Sequence, residues 1–275
     1  MNIKPFAESD LTMLAAVQPP GWPDLLPTYS YYLRTDCCKP IAAVEGGSLV
    51  GVGSGISLGS TGWLGHIIVH PEHRRRGIGT AIVDHLVGHL HTLGIATVSL
   101  IATTEGRPLY AGMGFVEHCE YSFYDRQPDS GAPLRGGGAV DGPDANGTIV
   151  PLAPDDLDAV LAIDAETSGE SRWPILEGRL DGAVVCKDDG RVVGYYAPGV
   201  GEGVVICVDR AAGASLLARR PIGKRNVAPA DNVAVRDWYS TRGMTEKFRA
   251  VRMVLGPPLT WRPGNVYSRI GGNLG

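Results

Sequence analysis

The sequence predicts an α+β protein built from two successive units of mixed strand and helix. Three observations carry that prediction. Residues 63–69 form an apolar run bounded by glycine and proline, the pattern of a buried strand, and a basic glycine-rich turn joins it to Ile78, Ile82, Leu86, Leu90 and Leu93 at helical spacing. Residues 127–147 are almost entirely Gly, Pro, Asp, Ala and Asn, the composition of a linker or long surface excursion. Beyond that stretch the chain restarts in the same order. At 275 residues it is long enough for two domains of ordinary size.

In the first half, residues 3–6 read as a strand, and Asp10 is a plausible N-cap for a helix through Leu11, Leu14 and Val17. Pro19, Pro20 and Gly21 break it. Residues 22–34 are rich in aromatics, with Trp22, Tyr29, Tyr31 and Tyr32 close together. Residues 41–44 and 48–56 pair around Gly46-Gly47 as a hairpin. The apolar strand and helix follow, and Gly94 sits where a C-cap glycine belongs. Residues 97–101 form another short strand, 106–115 a short helix ending in Gly-Phe, and 115–124 a closing strand.

The second half repeats this order. Residues 149–152 are a strand and 155–165 a helix, and 183–186 pairs with 191–196 around Asp188-Asp189-Gly190. An apolar strand at 203–208, a helix at 211–219 and a closing strand at 248–255 complete it. The segment from Trp238 to Met244 echoes that from Leu109 to Phe115. We place the domains at 1–128 and 148–275, with 129–147 as linker.

The turn after the central strand, HPEHRRRGIGT from His70 to Thr80, carries specific chemistry. Gly77 and Gly79 allow a tight turn and close approach of a ligand. The first N–H groups of a helix have no intrahelical partner and lie at its positive end, where phosphate binds. Arg74, Arg75 and Arg76 add bidentate donors for a polyanion. The alternative is a solvated basic turn with an ordinary glycine cap. In the second copy the same place reads DRAAGAS, where Asp209 would repel a phosphate, so that copy is expected not to bind one.

HPEHRRRGIG followed about thirty residues later by LYAGMGF resembles the acetyl-CoA site of the GNAT superfamily of N-acyltransferases. WLGHIIV and SLIATTEGRPLY further resemble a branch in which a second, degenerate GNAT-like domain follows the first. The resemblance implies tandem domains, each a mostly antiparallel mixed sheet flanked by helices. It implies acetyl-CoA as acyl donor, with Ile67, Ile68 and Val69 along the pantetheine arm. Arg74, Arg75, Arg76, Gly77, Ile78, Gly79 and Thr80 would lie around the pyrophosphate, and Tyr110 would be the acid that protonates the CoA thiolate. Thr103 stands where many members carry Asn near the cofactor, which leaves the contacts of Thr103 and Thr104 unsettled. Trp63 fills the position where many members carry a carboxylate base. His66, His70 and His73 are nearby, and a water chain or a carboxylate from the second domain are further alternatives for that role.

The implied acceptor is the primary amine of a small molecule, with Trp22, Tyr29 and Trp63 as walls. Acidic residues dominate 129–190, thirteen Asp or Glu against four Lys or Arg. They are either a solvated face or a wall that attracts a cationic amine, with Asp164 or Glu166 as ammonium partner. The second copy would shape the acceptor pocket or a homodimer interface. A non-catalytic acyl-CoA-binding or interaction protein is the alternative function. A net charge of −4 argues against nucleic acid as partner. No apolar run reaches the roughly 18 residues of a membrane span. The five cysteines are odd in number and lack CxxC spacing, so neither metal nor disulfides are expected, and the cytoplasm is the expected compartment.

Overall fold

The computed structural model describes residues 1–126, 147–221 and 225–274. Most of the expected linker lies outside the described residues. By contacts the chain divides into two compact units, Met1–Val116 with Met253–Pro258, and Glu117–Arg252 with Leu259–Gly275.

The first unit contains β1 (Asn2–Pro5), α1 (Leu25–Leu33), β2 (Cys38–Glu45), β3 (Ser48–Leu58), β4 (Thr61–Val69), α2 (Ile78–Thr92), β5 (Thr97–Ala102) and α3 (Arg107–Gly112). Its strands lie in the order β1-β2-β3-β4-β5. The first four pair antiparallel and β5 runs parallel to β4. A mixed sheet flanked by helices is therefore present, as expected. The expected first helix is instead a run of 3-10 turns over Glu8–Ala16. Asp10 is buried within it, accepting from the Ala7 N–H at 2.9 Å and pairing with Lys4 at 2.5 Å. The helix of this region is α1, capped by Asp24, whose side chain accepts from the Leu26 N–H.

The core of the unit forms where α2 lies on β3. Of the residues whose spacing predicts the helix, Leu93 is the C-cap residue and is exposed, whereas Ile78, Ile82, Leu86 and Leu90 are buried. They fit because β3 presents Gly51, Gly53 and Gly55 to them. A Cβ on Gly53 would come within 2.7 Å of Ile82 and 2.8 Å of Ile67. Gly53→Ala is accordingly expected to destabilise the protein by about 1–3 kcal/mol through overpacking, read as a lowered denaturant midpoint.

The second unit starts with β6 (Val116–Arg126) and continues through β7 (Thr148–Pro151), α4 (Leu157–Ser168), α5 (Trp173–Leu176), β8 (Val184–Asp188), β9 (Arg191–Ala197) and β10 (Val204–Cys207). It ends with α6 (Arg210–Ala218), β11 (Asn226–Pro229), α7 (Val233–Ser240), β12 (Met244–Leu255, of which residues 253–255 are grouped with the first unit) and β13 (Val266–Ser268). β7, β8, β9 and β10 follow one another antiparallel, matching β1 to β4 in order and sense. The duplication read from the hairpins is thus present in the backbone. The border between units differs from the sequence-based one because β6 pairs with β11, Tyr124 opposite Asn226 and Ser122 opposite Ala228. The strand that closes the first half of the sequence is thereby part of the second unit. β11, β13 and α5 are short elements that residue patterning did not reveal.

Candidate active site

In the first unit the site is built on β4. Its parallel register with β5 covers only Thr61 to Trp63 against Thr97 to Ser99. Beyond that point β4 continues to Val69 and β5 to Ala102 without pairing to each other. A bulge on β4 marks the divergence, because Val52 of β3 faces Ile68 while Ser54 faces Gly65. His66 lies in that extra turn of backbone at φ 51°. An unpaired strand edge exposes a row of N–H and C=O groups to an extended partner.

Past β4, Pro71–His73 makes one 3-10 turn, and the chain enters α2 through Arg75 at φ 59° and Gly77 at φ 77°. Gly77 is the N-cap of α2, and no side chain caps the helix there. The first N–H groups of α2 are thus left to a ligand. The arginines divide in two. Arg74 donates to the Val69 carbonyl at 3.2 Å, and Arg76 donates to Glu45 at 2.9 Å and meets His73 at the same distance. Arg76 holds the Glu45 carboxyl below its usual range. Arg75 is exposed. Gly77 and Gly79 differ in what they permit. A side chain at Gly77 would meet open space but not the left-handed backbone, whereas a Cβ at Gly79 would press on Leu109 of α3 at 3.2 Å.

Tyr110 projects from α3 and is 7% exposed, packed edge-on to Phe115 with ring centroids 5.8 Å apart. Burial pushes its phenol up to about 12. Thr103 lies in the turn that leads into the same helix, its hydroxyl accepting from the N–H of the N-cap residue Gly106 at 3.3 Å.

Of the expected acceptor walls, Trp22 and Tyr29 come together around His66. Trp22 is 42% exposed and lies edge-on to the His66 ring at 6.3 Å. Tyr29 is buried and donates to the His66 carbonyl at 3.4 Å. Tyr32, which sequence reasoning did not single out, meets His66 Nδ1 at 2.8 Å. Its signal was the spacing of Tyr29 and Tyr32 on one helix face. Trp63 does not join them. It is fully buried in the sheet opposite Ile56, so it cannot wall a cleft. Beside Trp22 runs a groove of about 490 Å³ lined by Leu11, Leu14, Ala15 and Leu26, with Gln18 and Asp24. The side-chain oxygens of Gln18 and Asp24 accept from the Leu25 and Leu26 N–H groups, which leaves the groove's character apolar.

Residues 9–115 match the model of the Acetyltransferase (GNAT) family. This segment is a GNAT-family domain. No curated protein sequence matches the chain. A Pyrococcus horikoshii protein provisionally described as an acetyltransferase is similar in fold at a TM-score of 0.80 and 19% identity, covering 100% of this chain and 95% of its own. A GCN5-related N-acetyltransferase from Sphaerobacter thermophilus is similar at 0.62 and 18%, covering 94% and 98%. A tandem GNAT protein from the clavulanic acid biosynthesis pathway is similar at 0.58 and 19%, covering 94% and 99%. At these identities the likeness is one of fold, and it extends over nearly the whole chain. The tandem GNAT-like architecture expected from the sequence is therefore present.

The second unit differs from the GNAT domain at each of these features. The edge of β10, the counterpart of β4, is paired antiparallel with β13, Val205 opposite Ser268. The N-terminus of α6 is capped by Asp209, whose carboxylate accepts from the Ala212 N–H at 2.8 Å. Gly213 is covered by the Tyr267 ring, which a Cβ would approach to 2.1 Å. The strand edge and the helix start are both occupied by the chain itself.

The two acids expected to meet an ammonium group have other partners. Asp164 is 1% exposed, takes two hydrogen bonds from Arg172 at 2.9 and 2.5 Å, and accepts a third from the Tyr195 hydroxyl. Glu166 is exposed and pairs with Arg262 at 2.6 Å. Asp164 is thus a core ion pair, because Gly169 at φ 74° ends α4 and returns Arg172 onto it. Among the described residues there is no cluster able to hold a metal, and no helix is long and apolar enough to cross a membrane.

Proposed function

We propose that this chain transfers an acetyl group from acetyl-CoA to the primary amine of a small molecule, by direct attack in a ternary complex. The observation that carries the reading is the conjunction, in one GNAT-family domain, of an open β4 edge with a helix start that has no side-chain cap. Ile67, Ile68 and Val69 would pair with the pantetheine arm, and a main-chain N–H at that edge would polarise the thioester carbonyl. The N–H groups of residues 75–80 would hold the pyrophosphate, with Arg75 as the exposed cation beside them. Arg74 and Arg76 support the turn through Val69 and Glu45, and Thr103 holds the turn into α3 through the Gly106 N–H. Tyr110 would protonate the departing thiolate. The apolar groove beside Trp22 suits an acceptor with an apolar body. Free cysteines throughout fit a cytoplasmic setting.

Isothermal titration with acetyl-CoA tests the reading. Wild-type protein is expected to bind with a single site. Arg75→Glu should weaken that binding at least about tenfold, since a hydrogen bond to a charged group contributes about 1.5–3 kcal/mol. Absence of binding at high micromolar acetyl-CoA would sink the proposal.

A further inference from the structure

β4 changes face at His66. Gly62 is directed at Leu90 of α2, and alternation would send Ile67 to the opposite side. Yet the Ile67 side chain lies against the α2-facing Gly53. The bulge has inserted one residue, and that residue is His66. A side-chain-bearing residue adopts such a backbone only where its surroundings hold it there, and residues so held cluster at functional sites. What holds this one is a box of aromatic rings. Tyr32 meets Nδ1 at 2.8 Å, and the rings of Trp22, Tyr29 and Tyr32 stand edge-on to the imidazole at 6.3, 6.3 and 5.7 Å. The boxed imidazole therefore sits midway along the stretch of β4 that β5 leaves unpaired, and Trp22 joins it to the apolar groove.

We propose that His66 takes the proton released by the attacking amine, with Tyr32 as the residue that positions its ring. This rests on the acyl-transfer reading above. The amine nitrogen forms a bond to the thioester carbonyl carbon while the C–S bond breaks. The proton leaving nitrogen passes to His66 and then to solvent. The sulfur receives its proton from Tyr110, which is reprotonated by solvent, so amine and thioester become amide and thiol. In this role Nδ1–H donates to the Tyr32 oxygen, and Nε2 exchanges the proton. The titratable groups that face the ring include the phenols of Tyr29 and Tyr32 on α1, and burial raises the Tyr29 phenol well above its ordinary range. On the neighbouring strand β3 presents Val52, Gly53 and Ser54 at this level.

The experiment measures CoA release from acetyl-CoA as a function of pH, with phenethylamine and with water alone as acceptors. Acetyl-CoA affinity is measured in parallel by calorimetry. His66→Asn is the first variant, because asparagine tolerates a positive φ. It should lower kcat/KM by about 10²–10⁴-fold and abolish the acidic limb of the profile, with acetyl-CoA affinity within about twofold of wild type. Tyr32→Phe should move the acidic limb to lower pH, since loss of an acceptor for Nδ1–H destabilises the imidazolium. A His66→Asn profile equal to that of wild type overturns the proposal. So does acetyl-CoA binding with thiol release no faster than the uncatalysed rate. If His66→Asn loses its circular dichroism, Tyr32→Phe decides alone, and an unmoved limb overturns it. Loss of cofactor binding in the wild type is read separately and fells the acyl-transfer reading itself.

Discussion

Tyr110→Phe is expected to lower kcat by about 10²–10⁴-fold, the usual contribution of a general acid, while acetyl-CoA affinity stays within about twofold. The asymmetry follows from what the substitution removes. The ring and its edge-on contact with Phe115 remain, so α3 keeps its packing, and only the hydroxyl is lost. That hydroxyl matters when charge develops on sulfur, not when the thioester binds. Burial raises the phenol to about 12, so Tyr110 remains a proton donor across any practical assay range and adds no basic limb between pH 6 and 9. A basic limb in that window belongs to another group. An unaltered kcat, with chemistry shown to limit the rate, would return Tyr110 to a packing role.

Asp164→Ala is expected to cost about 3–5 kcal/mol of stability, because it leaves the Arg172 guanidinium buried without its anion. A domain of this size has about 5–15 kcal/mol in all, so the variant should unfold at far lower denaturant. Glu166→Gln serves as its contrast. The Glu166–Arg262 pair is solvent-exposed and contributes at most about 1 kcal/mol, so that variant should melt close to wild type. The pair of results separates a core ion pair from an acidic wall. A denaturation midpoint for Asp164→Ala equal to that of wild type would mean that Asp164 stabilises nothing.

Local periodicity made much of the fold legible. The apolar spacing of α2 and the glycine-centred hairpins are read from neighbours in sequence, and the hairpins repeat, which is why the duplication could be seen. β11 and β13 are held by pairing with distant strands and have little pattern of their own. The turn of the candidate site was legible because glycine and arginine at fixed offsets have few other uses. His66 was legible only as one of three nearby histidines, since a reading by alternation assumes a period of two and a bulge breaks it. Asp164 misled for a related reason. An acid on a helix reads as solvated unless its partner is known, and Arg172 reaches it only after the chain reverses at Gly169.

Residues 253–258 belong to the first unit although they follow nearly all of the second in sequence. Thr97 donates through its hydroxyl to the Pro257 carbonyl at 2.8 Å across 160 residues of chain, and Gly256, at φ 94°, lies so close to the Ala96 carbonyl that no side chain would fit. A ribosome adds these residues only after most of the second unit. Until they emerge, β5 has an open side, and an open strand is a template for wrong partners. The first unit is thus begun before the second and completed only after most of it. Closing so long a loop is slow, and the wait during synthesis is the interval in which this chain depends on being kept from its neighbours.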